Sequence, residues 1–225
     1  MIEDENGIPL EKLDYLDKRV DRIPYYHTQS SSPEFPYYQH LLVERNDHAK
    51  EIRKVNPVSE IYPFFFEIMD EFCKKNDIKY KSIIRACLNN TYHIPGYEYQ
   101  DPHLDAKCPH LIFMMYLNDA TGDTFVFEDE WNPDDDIDIY YCKKGGGFNS
   151  VSVGAGYRST VFDKQELTIK HRITPKRGKI AVFDGKHFHA IGPTGPGEIR
   201  SICICLLYTS PSPRDVEESR MPSSA

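Results

Sequence analysis

The sequence predicts a mainly β domain with flanking helices, arranged as a double-sheeted β-barrel of the jelly-roll type. Short β-prone runs recur from about residue 79 to residue 208, separated by Gly, Pro, Asn and Asp. The chain has 15 Tyr and 12 Phe against 1 Trp, and aromatic side chains pack well on pleated surfaces. A length of 225 residues is enough for one domain with a substantial core.

One amphipathic helix is expected before the strands, in the run "SEIYPFFFEIMDEFCKKND". Ser59 is a candidate N-cap, and Lys74 and Lys75 suit the negative end of the helix dipole. Apolar residues at spacings of three and four predict a single buried face: Ile61, Phe64, Phe65, Ile68, Met69 and Phe72.

Changes in composition divide the chain into three segments. We expect a polar, weakly ordered lead-in over 1–50 and a barrel domain over 51–204. Within the domain, an acidic and then glycine-rich stretch at about 128–166 predicts an insertion of the kind that often forms a lid or binding loop. Residues 205–225 turn to Ser, Pro and charge and resemble translated sequencing-adapter read-through, so we expect a non-native or disordered tail.

Bulk properties exclude several classes of protein. A net charge of −8 and a pI near 5.6 argue against non-specific nucleic-acid binding, which depends on phosphate neutralisation. The 6 cysteines include no CxxC pair, which favours free thiols in a reducing compartment. The acidic N-terminus lacks the apolar core of a signal peptide, and no apolar run approaches the roughly 20 residues of a membrane span. We therefore expect a cytoplasmic protein with no membrane partner.

A metal site is predicted from the stretch "DPHLDAKCPH" at 101–110. In an extended segment His103 and Asp105 point to the same side, so that one imidazole and one carboxylate reach a common cavity. A third ligand must come from another strand, and the run "KIAVFDGKHFHAIG" offers His187 and His189. Two histidines and one carboxylate that leave open positions are typical of non-haem Fe(II) oxygenases.

A cation follows on the next predicted strand. Arg200 lies eleven residues beyond His189, after the Gly- and Pro-rich turn "GPTGPGE". An arginine buried in an apolar barrel needs an anion, and a guanidinium holds a carboxylate through two hydrogen bonds. The metal ligands and this arginine together predict a dicarboxylate co-substrate that bridges them.

This ordered set of motifs resembles the 2-oxoglutarate and Fe(II)-dependent dioxygenases. It comprises HxD at 103–105, "YLND" at 116–119, "GKIAVFDGKHFHA" at 178–190 and the spaced Arg200. The prolyl 4-hydroxylase-like branch, with its bacterial and phage-type members, is the most similar. The resemblance covers about 83–204 and implies a double-stranded β-helix (cupin-like) fold. It further implies that Fe(II), 2-oxoglutarate and O₂ support hydroxylation of a C–H bond, with ascorbate as a candidate reductant.

The resemblance also assigns roles to residues. It implies that His103, Asp105 and His189 bind iron, with His189 preferred to His187 because it ends the motif and is better spaced from Arg200. Arg200 would bind the distal carboxylate of 2-oxoglutarate. A carboxylate at Asp105, where the related halogenases have Gly or Ala, favours hydroxylation.

One co-substrate contact remains open at this stage. Tyr92 matches a tyrosine of the family that helps to hold 2-oxoglutarate. The segment before the HxD motif is about two residues longer than usual, so Tyr97 and Tyr99 are alternatives. The turn at "GDT" also departs from the family, since Asp123 stands where glycine is common.

Two other functions compete with an oxygenase. A zinc-dependent hydrolase could use the same three ligands but would need a general base and no buried arginine. A non-catalytic metal-binding jelly-roll module would have no use for a cation beside the metal ligands. For an oxygenase, the expected substrate is a peptide, such as one with a prolyl residue, or a small molecule. The sequence leaves the oligomeric state open, and a phage-encoded protein would act in the host cytoplasm.

Overall fold

The computed structural model describes residues 1–28, 37–46, 55–96, 98–100, 102–106, 108–130 and 167–209. Its helices are α1 (Leu10–Asp17) and α2 (Tyr62–Lys75), with a short 3₁₀ helix at Val20–Arg22. Its strands are β1 (Ile2–Asp4), β2 (Tyr26–Thr28), β3 (Tyr37–Val43), β4 (Ser82–Tyr92), β5 (His110–Tyr116), β6 (Thr124–Glu130), β7 (Ile169–Ile173), β8 (Ile180–Asp184), β9 (His187–Ile191) and β10 (Ile199–Tyr208).

The strands form two antiparallel sheets. The larger sheet has seven strands in the order β1-β8-β5-β10-β4-β3-β2, and the smaller has three in the order β7-β6-β9. Within the described chain no continuous ladder joins the sheets, so they are two layers and not a closed barrel. The mainly β, two-sheet arrangement confirms the predicted jelly-roll class at that level.

The alternation of side chains along the strands divides the core. On β5, Phe113 and Met115 point to one face of the large sheet, where they join the residues of α1 and α2. Ile112, Met114 and Tyr116 point to the other face and pack between the sheets with side chains of β4, β6, β8 and β10. Period-two alternation therefore separates the layer that supports the sheet from the layer that lines the interior.

The N-terminal segment is more structured than the predicted lead-in. Strand β1 pairs with β8, with Ile2 opposite Val182, and α1 buries Leu13 and Leu16 in the core. Strand β3 pairs along β4. These elements are too short to show a clear hydrophobic period in the sequence. For this reason the segment was predicted to be a polar, weakly ordered lead-in.

The C-terminal boundary expected at residue 204 falls inside β10. This strand continues to Tyr208 in register with both β4 and β5, and Cys205, Leu206 and Leu207 are buried. The fold therefore uses four residues that were expected to belong to the tail. Residues 210–225 lie outside the described residues. Residues 131–166, which make up most of the expected insertion, also lie outside the described residues. The first three residues expected in the insertion, 128–130, form the end of β6.

Helix α2 matches the predicted amphipathic run. It buries Phe65, Ile68 and Met69, and its N-cap Ile61 makes no side-chain capping hydrogen bond. Ser59 Oγ accepts a hydrogen bond from the Ile61 amide at 3.4 Å and lies 2.7 Å from His40 Nε2, so Ser59 stands two residues before the N-cap position. Neither this helix nor any other described one is long and apolar enough to cross a membrane.

The end of β10 offers a direct test of the boundary. We expect Leu207→Ala to lower the free energy of unfolding by about 2–5 kcal/mol, because Leu207 is 0% exposed and its removal leaves a cavity. Ile199 begins the same strand and is 43% exposed, so Ile199→Ala should lower the free energy of unfolding by less than about 1 kcal/mol. Urea denaturation measures both; equal costs would contradict the inclusion of 205–208 in the core.

Candidate metal and co-substrate site

A pair of backbone hydrogen bonds joins the two chain segments that carry the predicted ligands. The His103 amide donates to the His189 carbonyl oxygen at 2.9 Å, and the His189 amide donates to the His103 carbonyl oxygen at 3.1 Å. This isolated antiparallel bridge attaches the HxD segment to β9. It places the two imidazole rings with their centroids 4.5 Å apart.

The third predicted ligand joins the same cluster. Asp105 Oδ2 lies 3.4 Å from His189 Nε2, and one ligand atom each from His103, Asp105 and His189 lies within 4.8 Å of the others. The side chains of His189 and Asp105 are 7% and 17% exposed. Two imidazoles and one carboxylate in this arrangement fit a divalent metal such as Fe(II) and leave coordination positions for other ligands.

The surroundings of Asp105 favour its charged form. Burial opposes ionisation, but the hydrogen bond and charge of His189, with the charges of His103 and Arg85, hold the pKa of Asp105 well below its ordinary value. Arg45 Nη2 donates a hydrogen bond to the backbone carbonyl oxygen of Asp105 and so ties this residue to the end of β3. The carboxylate is therefore ready to act as a metal ligand at neutral pH.

The alternative ligand His187 lies outside this cluster. Its Nε2 is 3.4 Å from Glu130 Oε1 and 3.3 Å from Lys170 Nζ, and its buried Nδ1 has no hydrogen-bond partner in the described chain. Burial and the neighbouring lysine charge lower the pKa of His187. His110, which was expected to cap or pack, is buried with Nδ1 2.7 Å from the Cys108 carbonyl oxygen.

Arg200 is a fully buried cation without an acidic partner among the described residues. Its side chain is 1% exposed, and its Nη1 donates to the Gly122 carbonyl oxygen at 2.7 Å. Its Nε has no hydrogen-bond partner in the same part of the chain. Burial lowers the pKa of Arg200, against the opposing effects of Tyr116 and Asp123. A guanidinium in this position is stabilised by any anion that can reach it.

Three polar side chains accompany Arg200. Thr91 stands directly opposite it on β4, so the two share a face of the sheet, and the buried Thr91 Oγ1 has no partner in the described chain. The Tyr116 hydroxyl lies 2.9 Å from Thr124 Oγ1. Burial raises the pKa of Tyr116 to about 12, so its hydroxyl keeps its proton. A buried cation with an unpartnered hydroxyl opposite it and a protonated phenol beside it fits the distal carboxylate of a 2-oxo dicarboxylate.

The structure does not bring Tyr92 to this pocket. Because Thr91 faces Arg200, the next residue of β4 points to the opposite side of the sheet, where Tyr92 is 36% exposed and contacts the ring of Tyr38. Tyr99 is buried between Phe125 and Phe127, and Tyr97 lies outside the described residues. The tyrosine beside Arg200 is Tyr116, the first residue of the "YLND" motif, and that motif was the available signal.

Comparison with known proteins supports the fold. No protein-family model matches the sequence, and no curated protein sequence matches it. Solved structures do match. A structure described as an oxidoreductase of the 2OG-Fe(II) oxygenase family from Burkholderia pseudomallei aligns with a TM-score of 0.57 at 12% identity. That alignment covers 90% of this chain and 81% of that one.

Two further structures align over similar lengths. A prolyl-4-hydroxylase from Pseudomonas putida gives a TM-score of 0.51 at 12% identity, covering 93% of this chain and 92% of that one. HygX from Streptomyces hygroscopicus, solved with nickel and 2-oxoglutarate bound, gives a TM-score of 0.55 at 9% identity. That alignment covers 93% of this chain and 82% of that one. The chain therefore has the fold seen in 2-oxoglutarate/Fe(II) oxygenase structures, as the resemblance predicted.

The geometry of the cluster predicts that His189, and not His187, is the metal ligand from β9. We expect His103→Ala, Asp105→Ala and His189→Ala each to weaken Fe(II) binding by at least on the order of 100-fold, since each removes one of three ligands. His187→Ala should leave the affinity nearly unchanged and serves as the matched control. Anaerobic titration with Fe(II), with circular dichroism to verify folding, measures this. Loss of binding in His187→Ala alone would show that the ligand set is wrong.

Proposed function

We propose that this protein is a 2-oxoglutarate- and Fe(II)-dependent oxygenase that hydroxylates a C–H bond. The observation that carries the proposal is Arg200, a buried guanidinium with an unpartnered Nε in the interior that also holds the His103, Asp105 and His189 cluster. A metal site alone fits many activities. A metal site together with a buried cation that has no acidic partner in the described chain favours a co-substrate with a carboxylate at its far end.

The proposed roles of the residues follow from their positions. His103, Asp105 and His189 would hold Fe(II), which when loaded with 2-oxoglutarate supplies the activation of O₂ that substrate oxidation requires. Arg200 and Thr91 would bind and orient the distal carboxylate, and the Tyr116 hydroxyl would donate a further hydrogen bond to it. Apolar side chains of the inter-sheet core line the same interior and exclude water: Ile84, Ile112, Met114, Phe183 and Ile202.

The substrate we propose is a residue of a peptide or a small molecule. One structure with the same fold is a prolyl hydroxylase from Trichoplax adhaerens in complex with a peptide fragment. It aligns with a TM-score of 0.52 at 9% identity over 99% of this chain and 87% of that one. This likeness makes a prolyl or other peptide side chain a reasonable first assay substrate, although a shared fold does not fix a substrate.

The competing functions differ from the oxygenase in testable ways. A zinc hydrolase would use His103, Asp105 and His189 to activate water and would gain nothing from a buried Arg200. A non-catalytic module would bind a metal without a dicarboxylate. Dependence of the bound metal's spectrum on 2-oxoglutarate therefore separates the oxygenase from both alternatives.

Replacement of Arg200 tests the proposed co-substrate clamp. We expect Arg200→Ala to keep Fe(II) affinity and to weaken 2-oxoglutarate binding. The loss of binding free energy should be about 2–5 kcal/mol, since the substitution removes one partner of a charge-assisted pair in a partly dry site. This corresponds to roughly 30-fold to a few thousand-fold in affinity. Anaerobic titration of the Fe(II) protein with 2-oxoglutarate, following the metal-to-ligand charge-transfer band, gives the affinity.

Two further variants serve as controls for that titration. Arg200→Lys should recover part of the affinity for 2-oxoglutarate, because an ammonium supplies the positive charge without the two parallel N–H donors of a guanidinium. Tyr116→Phe should weaken binding by roughly tenfold, the value of a single hydrogen bond to a charged group. Release of succinate from 2-oxoglutarate without added substrate should fall in the same order. Unchanged affinity in Arg200→Ala would remove the support for the proposal.

A further inference from the structure

One row of side chains crosses the interior face of the large sheet from its buried centre to its exposed margin. Ile202 of β10 stands opposite Tyr116 of β5 and opposite Asn89 of β4. Asn89 in turn stands opposite Gln39 of β3, and Gln39 opposite Tyr26 of β2, so all five share one face. Tyr116 and Ile202 are 0% and 1% exposed, and Tyr26 is 68% exposed. Asn89 and Gln39 lie between them and are half-buried, so a ligand can reach them from the margin.

Gln39 and Asn89 form a hydrogen-bonded pair of amides. Gln39 Nε2 donates to Asn89 Oδ1 at 3.0 Å, and within the described chain neither side chain makes another hydrogen bond. The Gln39 carbonyl oxygen therefore stays available as an acceptor, and the Asn89 amino group stays available as a donor. If both amides exchanged their oxygen and nitrogen positions, one acceptor and one donor would still remain. The pair thus presents one free acceptor and one free donor in either orientation.

A free donor beside a free acceptor matches the main chain of an extended peptide. In an extended chain the N–H and C=O of one residue point to the same side, which is how antiparallel strands exchange two hydrogen bonds. The free groups of the pair belong to different side chains, so they lie further apart than the oxygen and nitrogen of a single carboxamide. A carboxylate offers no donor and would leave the acceptor of the pair unused. One extended peptide residue satisfies both groups.

The amide pair lies beside the path of the proposed co-substrate. Arg200 and Thr91 form part of the neighbouring row of the same face, two residues away along β10 and β4, which corresponds to about 7 Å. Strand β3 runs from Gln39 toward the metal ligands, because Arg45, just beyond its end, donates to the Asp105 carbonyl oxygen. The pair is therefore on the metal side of Arg200. The polar groups of 2-oxoglutarate are at its two ends, and the methylene groups between them leave the amide pair to another ligand.

We propose that Gln39 and Asn89 form a subsite that binds the main chain of one extended residue of a peptide substrate. The inference rests on the proposed oxygenase function and narrows its substrate from a peptide or small molecule to a peptide. One amide of the pair accepts a hydrogen bond from the N–H of that residue, and the other donates to its C=O. Recognition through the main chain leaves the side chain that is oxidised free to turn toward the metal.

Paramagnetic relaxation detects weak binding at such a subsite without turnover. The protein is loaded with Mn(II) and saturated with 2-oxoglutarate. The probe is N-acetylglycine N-methylamide, a single peptide residue with its N–H and C=O, and we expect saturable relaxation of its methyl protons by the bound Mn(II). The matched control, N-acetylsarcosine N-methylamide, lacks that N–H and should bind on the order of 10-fold more weakly. Acetamide, as a single carboxamide, should also bind more weakly; tighter binding of acetamide than of the probe would overturn the assignment to a peptide.

Substitution then assigns the effect to the amide pair. Gln39→Ala and Asn89→Ala should each weaken binding of the probe on the order of 10-fold. The double variant should lose less than the two single losses combined, because either substitution already breaks the pair. Asn90→Ala is the matched control: Asn90 is the next residue of β4 and points to the opposite face, where its Oδ1 accepts a hydrogen bond from Ser201 Oγ at 2.7 Å. It should bind the probe as the wild type does, and circular dichroism verifies the folding of each variant.

The outcomes separate this inference from the function on which it rests. If 2-oxoglutarate fails to bind the wild-type Mn(II) protein, the oxygenase proposal is wrong. If 2-oxoglutarate binds but the probe shows no saturable relaxation, or binds the two alanine variants as well as the wild type, the subsite alone is wrong. Weaker 2-oxoglutarate binding in Gln39→Ala or Asn89→Ala would place the pair in the co-substrate pocket and would also overturn the subsite. Should these variants fail to fold, equal binding of the probe and its sarcosine analogue to the wild type would overturn it.

Discussion

The constraint on which the site depends is the burial of the Arg200 guanidinium. A charge with 1% exposure is costly unless it is paired, and here the observed partner is the carbonyl oxygen of Gly122. That contact requires a tight turn. Gly122 has a φ of +88°, and a Cβ at this position would come within 2.8 Å of the Gly192 carbonyl oxygen. The turn before β6 thus holds the guanidinium, while its Nε remains available to an anion.

The metal ligands depend on a different interaction, the two backbone hydrogen bonds between His103 and His189. These residues are far apart in sequence, and the ladder of the small sheet alone does not include the HxD segment. The bridge therefore fixes the distance between the two imidazoles, and Asp105 follows from the chain geometry two residues later. The bridge fixes the residues at one end of the interior and Arg200 lies at the other, and the proposed two-ended co-substrate would span the two.

Much of this arrangement could be predicted from the sequence, and the failures have physical causes. Strands β4, β5, β6, β8 and β10 carry apolar or aromatic runs, so the sequence predicts them directly. Strand β9 was less visible because its apolar residues alternate with histidines. Tyr92 was favoured over other tyrosines by its motif, but strand register decides which face a residue occupies, and a shift of one position reverses it. The sequence signal for Tyr116 was the "YLND" motif that it begins.

The most direct test of the central claim is a crystal structure of the protein with Mn(II) and 2-oxoglutarate, prepared without oxygen. The account predicts the metal bound by His103, Asp105 and His189, with the 2-oxo acid end of the ligand on the metal. The distal carboxylate should accept hydrogen bonds from Arg200 and Tyr116. A metal bound by other residues, or a 2-oxoglutarate molecule that makes no contact with Arg200, would contradict the account.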